Sequence, residues 1–346
     1  MANQTEKRKL SHVEICAAKD VEARGKKAGF SDVELVHNAL PECDLEKINI
    51  SCALFGKKMA APFIIEAITG GYPEAEKINK ELAKAAEATG VAMGLGSQRA
   101  MIENQKLSGT YNVRDVAPSI VLLGNIGLVQ LKEYSVKQIC EALAAVNADA
   151  LAVHLNALQE AVQPEGNRNF EGCLEALAKL CKEVGGPIIA KETGAGISRD
   201  AAVRLERAGV KAIDVGGAGG TSWSGVEFYR GSENAETFWD WGIPTVCSLI
   251  EARGAVRVPI IASGGVRSGV DVAKSLALGA SYAGAALPFL KLVKKGGAKS
   301  VIAEIEKWKL DLKTAMFLAG ARNLDELRKA SVVVTGKTSE YIHARR

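Results

Sequence analysis

Residues 260–269 read IIASGGVRSG. The apolar run Ile260 to Ala262 has the length of a buried strand, and the Ser-Gly-Gly after it is turn chemistry. Ser268 then opens an amphipathic pattern that runs to Leu278 and marks a helix. Outward from this stretch the same strand–turn–helix phrase recurs. Downstream lies the run Ser281 to Ala285. Upstream lie Phe63 to Ile65, Val91 to Leu95, Ile120 to Leu123, Ala150 to Val153, Ile188 to Ala190 and Ala212 to Val215. Helical patterns at 74–89, 135–146, 171–184 and 198–208 fill most of the gaps.

Strands alternating with helices predict a parallel sheet buried on both faces. Eight strands can close a barrel, and a doubly wound open sheet is the alternative. The strand ends decide between them. In order they are TGG (69–71), GSQR (96–99), GNIG (124–127), HLN (154–156), KETG (191–194), GGAGGT (216–221), SGGVR (263–267) and AAL (285–287). Nearly all carry glycine or a polar side chain, whereas an open sheet gathers such residues at one switch point. The expected fold is therefore α/β, a TIM (β/α)8 barrel forming a single domain over 1–346 with its core at about 62–290. Three pieces stand outside the repeat. They are a charged N-terminal extension (1–60), an insertion after strand six (222–243) holding three of the four Trp, and a C-terminal helical tail (296–346).

Composition narrows the function. The 346 residues are 47% hydrophobic and 24% charged, which suits a soluble globular protein. Lys plus Arg number 44 against 40 Asp plus Glu, and +4 is too small an excess to predict a nucleic-acid partner. Only 5% aromatics beside 35 glycines favours tight turns close to a ligand over stacking surfaces. Seven scattered cysteines with no C-x-x-C predict reduced thiols. The polar N-terminus lacks a signal-peptide core, and the apolar stretch from Leu276 to Val293 is broken by Ser281, Tyr282, Pro288 and Lys291. No membrane span and a cytoplasmic location are expected.

Four groups of residues carry candidate chemistry. SGGVRSG (263–269) brings backbone N–H groups to a helix N-terminus, where they can cradle phosphate together with the loop 284–287; a plain strand-to-helix turn is the bland reading. Arg8, Lys9, His12 and Arg99 form a second anion site if they converge, and otherwise a solvated tail. HLNALQE (154–160) sets His154, Asn156, Gln159 and Glu160 just beyond strand four. There Glu160 could bind Mg2+ and Gln159 could hydrogen-bond a substrate or weakly shuttle a proton, against a reading as caps and loop bonds. Lys191 ends a buried run and needs an anionic partner, either the electron-rich edge of a flavin or a core acid such as Asp214. His37 and His343 read as structural or surface residues. Neither zinc spacing nor a Ser–His–Asp arrangement is suggested.

Taken in order, RKLSH (8–12), ITGG (68–71), GSQR (96–99), HLNALQE (154–160), QPEG (163–166), KETG (191–194), GGTSW (219–223) with Glu227, and SGGVRSG (263–269) resemble the type 2 isopentenyl-diphosphate isomerases, over about residues 8–335. These are flavin-dependent (β/α)8 enzymes. The resemblance implies interconversion of isopentenyl and dimethylallyl diphosphates with no net redox. It also implies reduced FMN, Mg2+, and NAD(P)H as the usual reductant. Carried over residue by residue, Arg8, Lys9, His12, Ser97, Gln98 and Arg99 would hold the diphosphate. Ala67, Ile68, Thr69, Ser97, Asn125, Lys191 and Thr221 would surround the flavin ring and ribityl chain. Gly264, Gly265, Arg267, Ala286 and Leu287 would hold its phosphate. His154 and Gln159 would be catalytic, Asn156 would line the substrate, Glu160 would bind the metal, and Trp223 and Glu227 would complete the site. Ile68 stands where the family usually has Met, and Glu66 is unexpected at a buried strand end.

Other barrel chemistries fit less well. An α-hydroxy-acid oxidase needs a late catalytic His, and none lies between His154 and His343. A relative of inosine-monophosphate dehydrogenase needs Cys in the loop after strand six, where the sequence is GGAGGTSW. A flavin-binding barrel without catalysis is the third alternative. A homo-oligomer, tetramer or octamer, is expected, with Trp239 and Trp241 marking a subunit contact if exposed.

Overall fold

The computed structural model describes residues 4–345. Eight parallel strands close into a barrel in chain order: β1 (Phe63–Ile65), β2 (Ala92–Gly94), β3 (Leu122–Gly127), β4 (Ala150–Leu155), β5 (Ile188–Glu192), β6 (Ala212–Asp214), β7 (Ile260–Ser263) and β8 (Tyr282–Ala285). The closing pair is β8 with β1, in the register Ala283↔Phe63 to Ala285↔Ile65. Period-two alternation sorts the side chains. Ile64, Leu123, Ala152, Ile189 and Ile261 join one inner cluster, while Ile65, Leu122, Val153, Ile188 and Ala262 pack outwards under the helices. Leu54 and Met59, from a hairpin of Cys52–Leu54 with Lys57–Met59, pack into the inner cluster. The hairpin closes the N-terminal end, so the open end of the barrel is the one where the strands finish.

The outer helices start and stop where local chemistry dictates. Ser135 and Gln138 form a capping box for Val136–Ala145, and Gly90 ends Ala75–Thr89 in the left-handed region with φ 66°.

The three extra pieces are more ordered than their sequence suggests. The N-terminal extension opens with α1 (Gln4–Ala18). The segment after it lies over the strand-six loop: Ala23 N donates to Gly220 O at 2.9 Å and Ser222 N to Val21 O at 2.8 Å. Arg24 and Gly25 both donate backbone N–H to the Asp240 carboxylate at 2.8 Å. The tail is not wholly helical, which corrects the sequence expectation: Val332–Val334 pairs antiparallel with Val33–Leu35 from the other end of the chain. The long helix Leu287–Leu318 is broken at Gly296–Gly297. Trp239 is 4% exposed and donates its indole N–H to Glu22 O at 2.9 Å, so only Trp241, at 62%, fits an exposed-tryptophan face. All seven cysteines are free thiols. Among the described residues no helix is long and apolar enough to cross a membrane.

Candidate active site at the strand ends

The strand ends, α1 and the strand-six insertion enclose one cavity of about 1580 Å³, its mouth included.

The floor is charged. Lys191 Nζ, at the end of β5, lies 2.5 Å from Asp214 Oδ2 on β6 and 2.9 Å from Glu66 Oε2 just past β1. Ser263 Oγ donates to Asp214 Oδ1 at 2.5 Å. Burial alone would lower the Lys191 pKa, but the two carboxylates outweigh it and the pKa rises. Burial, then the charge of Asp214, pushes Glu66 up to about 8. Lys191 thus has the core acid that its sequence demanded, and it still faces the cavity. Next to it, Glu192 Oε2 accepts backbone N–H groups from Thr193, Gly194 and Ala195 at 2.5–2.6 Å, which folds the KETGAG loop around a carboxylate.

Glycine-rich loops form one wall. Gly264 has φ 98°, and a Cβ there would meet Gly217 O at 2.1 Å; a Cβ on Gly220 would meet Gly265 N at 2.3 Å. Only glycine lets these two loops touch backbone to backbone. Arg267 Nε donates to Glu22 Oε1 at 2.9 Å, so the extension grips this wall. The helix Gly269–Ala277 starts directly behind it, with Ser268 as its cap.

The opposite wall is basic. Arg8 and His12 are one helical turn apart on α1, so they share a face, with Lys9 beside them. Lys9 Nζ donates to Ser97 O at 2.6 Å and to Tyr111 Oη at 2.8 Å. Burial, with Arg8 and Arg99 adding like charge, lowers the Lys9 pKa to about 7. His12 Nε2 sits 2.8 Å from Glu227 Oε1, and the Trp223 ring meets it edge-on at 5.1 Å. Both aromatic and acid come from α3 (Trp223–Tyr229), a helix of the strand-six insertion. Burial lowers His12 despite Glu227. Arg230 pairs with Glu227 Oε2, and its other arm reaches Glu165 Oε1 at 2.6 Å.

Between the walls lies α2 (Ala157–Val162). His154 Nδ1 is 2.8 Å from Asn125 Oδ1, and burial lowers its pKa to about 4, so the ring is neutral with Nε2 free to accept. Asn156 Nδ2 donates to Gln159 Oε1 at 3.3 Å and to Glu160 Oε1 at 3.1 Å; Glu160 Oε2 accepts Asn167 N at 2.7 Å. Gln159 Nε2 donates to Glu227 Oε1 at 3.3 Å.

Of the residues expected at the site, all but two line this one cavity. Gln98 turns away from it: Nε2 donates to Ala142 O at 2.7 Å and Oε1 accepts Asn125 N at 3.0 Å. Its side chain pins the β3 backbone and does not face a ligand. Glu227 stands behind His12 and reaches the cavity through it. Sequence reading missed Arg230, Tyr111 and Glu165 as members of the network, because Tyr111 meets Lys9, and Arg230 meets Glu165, across loops far apart in the chain.

The residues suit FMN and Mg2+. Glu66 Oε1 and Asn156 Oδ1 are buried, border the cavity and receive no hydrogen bond from the protein, and the glycine wall has the form of a phosphate cradle. Among the described residues no three His, Cys, Asp or Glu side chains cluster as a self-sufficient metal site. Mg2+ usually takes one or two carboxylates plus substrate phosphate oxygens, which one carboxylate, Glu160, beside the basic wall can satisfy.

The FMN-dependent dehydrogenase family matches residues 1–108 and 129–334. The chain is 49% identical to the isopentenyl-diphosphate delta-isomerase of Methanosarcina barkeri over 100% of this chain and 96% of that protein. It is 50% identical to the enzyme of the same name from Methanothermobacter thermautotrophicus, over 98% and 96%. A lactate oxidase of Pediococcus acidilactici shares the fold at TM-score 0.70 and 18% identity, covering 96% of this chain and 93% of that one. A mandelate oxidase does so at TM-score 0.67 and 20% identity, covering 94% and 95%. The full-length identity, together with the ordered strand-end motifs, makes the chain a member of the isopentenyl-diphosphate delta-isomerases, of the FMN-dependent type 2.

Proposed function

We propose that the chain isomerises isopentenyl diphosphate to dimethylallyl diphosphate, in isoprenoid biosynthesis, with reduced FMN and Mg2+ and no net redox. NAD(P)H is the reductant in this reading, and the chain acts as a single barrel domain in a cytoplasmic homo-oligomer. One observation carries it: a basic wall and a flavin-type floor and glycine wall enclose the same cavity. A small apolar ligand with an anionic head needs both ends of such a site.

Arg8, Lys9, His12, Ser97 and Arg99 hold the diphosphate in this scheme, and Glu160 presents Mg2+ to it. Ala67, Ile68, Thr69, Asn125, Lys191 and Thr221 seat the flavin, and Gly264, Gly265, Arg267, Ala286 and Leu287 seat its phosphate. The reduced flavin supplies an electron-rich face and a site for proton exchange. Trp223 closes over the alkene, excludes water, and steadies developing positive charge by its π face. Gln159 and neutral His154 orient the reacting carbon, and the ionised Glu227 carboxylate fixes both His12 and Gln159 by accepting from them. An α-hydroxy-acid oxidase reading has only the shared fold behind it, since the barrel carries no late His.

The test is anaerobic. FMN-loaded protein is reduced, given Mg2+ and isopentenyl diphosphate, and assayed for dimethylallyl diphosphate; no turnover sinks the proposal and leaves a non-catalytic flavin barrel. Glu160→Gln is expected to raise the Mg2+ requirement at least about tenfold while FMN stays bound. Loss of flavin with an unchanged metal response would show the assigned role to be wrong.

A further inference from the structure

Three titratable groups meet on the cavity floor, and their charges do not balance. Lys191 Nζ is 2.9 Å from Glu66 Oε2 and 2.5 Å from Asp214 Oδ2, which sets one cation between two carboxyls. Glu66 and Asp214 are 5% and 1% exposed. The Glu66 and Asp214 carboxyls also come within hydrogen-bonding reach of each other, a contact that attracts only when one of them carries a proton. Glu66 Oε1 receives no hydrogen bond from any N–H or O–H.

The fold makes room for this excess carboxyl. On β8 the residue facing it is Gly284, where a Cβ would lie 1.9 Å from Glu66 Oε1. The groups around Glu66 are Lys191 from β5, Asp214 from β6, Ser263 from β7 through its bond to Asp214, and Gly284 from β8. His154 on β4 is neutral and feels the charge of Lys191. A buried second acid on one lysine is costly to keep for structure alone. It is useful where the charge in front of the lysine changes.

We infer that Glu66 is a proton store for the cofactor cavity, taking up a proton when negative charge is added in front of Lys191 and giving it back when that charge leaves. The inference rests on the FMN reading above. Two electrons and one proton added to bound FMN leave one extra negative charge in the cavity. That charge draws on Lys191, and where Glu66 is ionised, above about pH 8, its carboxylate takes one proton from solvent; at neutral pH the proton is already in place. The only bond formed on the protein is the O–H of Glu66, which then donates to Asp214. Burial and Asp214 already leave Glu66 near 8, so added negative charge moves its titration upward. Glu66 touches no reacting atom in this scheme; it is a positioning residue for charge.

The experiment is a spectroelectrochemical titration of FMN-loaded protein at several pH values, with the electrode as electron source. The slope of midpoint potential against pH counts protons per two electrons. Between about pH 8 and pH 9 the wild type is expected to take up one proton more than Glu66→Gln. In Asp214→Asn, which removes the like charge, the extra uptake is expected to move to lower pH. Infrared spectra of the flavin-free protein at neutral pH give a second reading, as a carboxylic-acid carbonyl band lost in Glu66→Gln. Equal proton counts in wild type and a Glu66→Gln that still binds FMN overturn the inference alone. Wild-type protein that holds no FMN overturns both this inference and the reading beneath it.

Discussion

Lys9 lets the grip on diphosphate be read from pH. Its ammonium is part-buried between Ser97 O and Tyr111 Oη, and burial plus the charges of Arg8 and Arg99 bring it from 10.5 to about 7. At pH 8 only roughly a tenth of free protein carries that charge. A bound diphosphate supplies the missing counter-charge and raises the pKa again, so binding takes up a proton. Binding therefore weakens as pH rises past 7, the slope approaching about tenfold, or about 1.4 kcal/mol, per pH unit until the pKa of the complex is reached. From pH 7, where half the lysine is already neutral, to pH 9 the expected loss is about fiftyfold. Calorimetry of isopentenyl diphosphate with the oxidised FMN protein, in buffers of different ionisation enthalpy, measures both affinity and proton uptake without turnover. Lys9→Met should bind more weakly at pH 7 and show neither the slope nor the proton. An affinity that changes less than about twofold over this range, or a Lys9→Met protein with the wild-type slope, refutes the reasoning. The same group gives free-protein stability a sign. Unfolded Lys9 keeps its proton to 10.5 while folded Lys9 loses it near 7. Between those values the unfolded state binds more protons, so this residue makes stability rise with pH.

Two further outcomes follow from the walls. Burial raises the Glu227 pKa, but His12 and Arg230 more than offset it and hold the acid below its ordinary value; Arg230→Met should shift the acid limb of the kcat/KM profile to higher pH, and an unmoved limb rejects the coupling. Gly264→Ala forces a side chain at φ 98° into Gly217 O and should cost about 2–5 kcal/mol, seen as a lower Tm and poorer FMN retention; wild-type melting would contradict the backbone packing.

The barrel was legible because nearly every strand is a short apolar run ended by its own glycine or polar residue, a purely local signal. The basic wall was legible only as a question. Arg8 and His12 share a face once residues 4–18 are a helix, but α1 carries charge on most sides and has little apolar stripe to reveal it. Lys191 was readable as a cation needing an acid, and Asp214 as that acid, because strand ends β5 and β6 are neighbours. Glu66 as its second partner depends on barrel closure, which brings β1 round to β8. Gln98 was misassigned because a polar residue at a strand end can turn either way, and the carbonyl of Ala142 lies outside. The strand at Val332–Val334 looked like tail because its pairing partner is at the other end of the chain.

The bond of His12 to Glu227 and the ribbon of Val33–Leu35 with Val332–Val334 also set a timetable for synthesis. Chains emerge from the ribosome N-terminus first, so α1 is made before any barrel strand. Its acid partner follows 215 residues later, and the strand that ties down the extension comes only at Val332. Loop closures of this span are slow and entropically costly. A nascent or C-terminally shortened chain can thus own a cofactor floor while its diphosphate clamp is still unanchored. A helix made before the barrel is thus the last piece to find its seat.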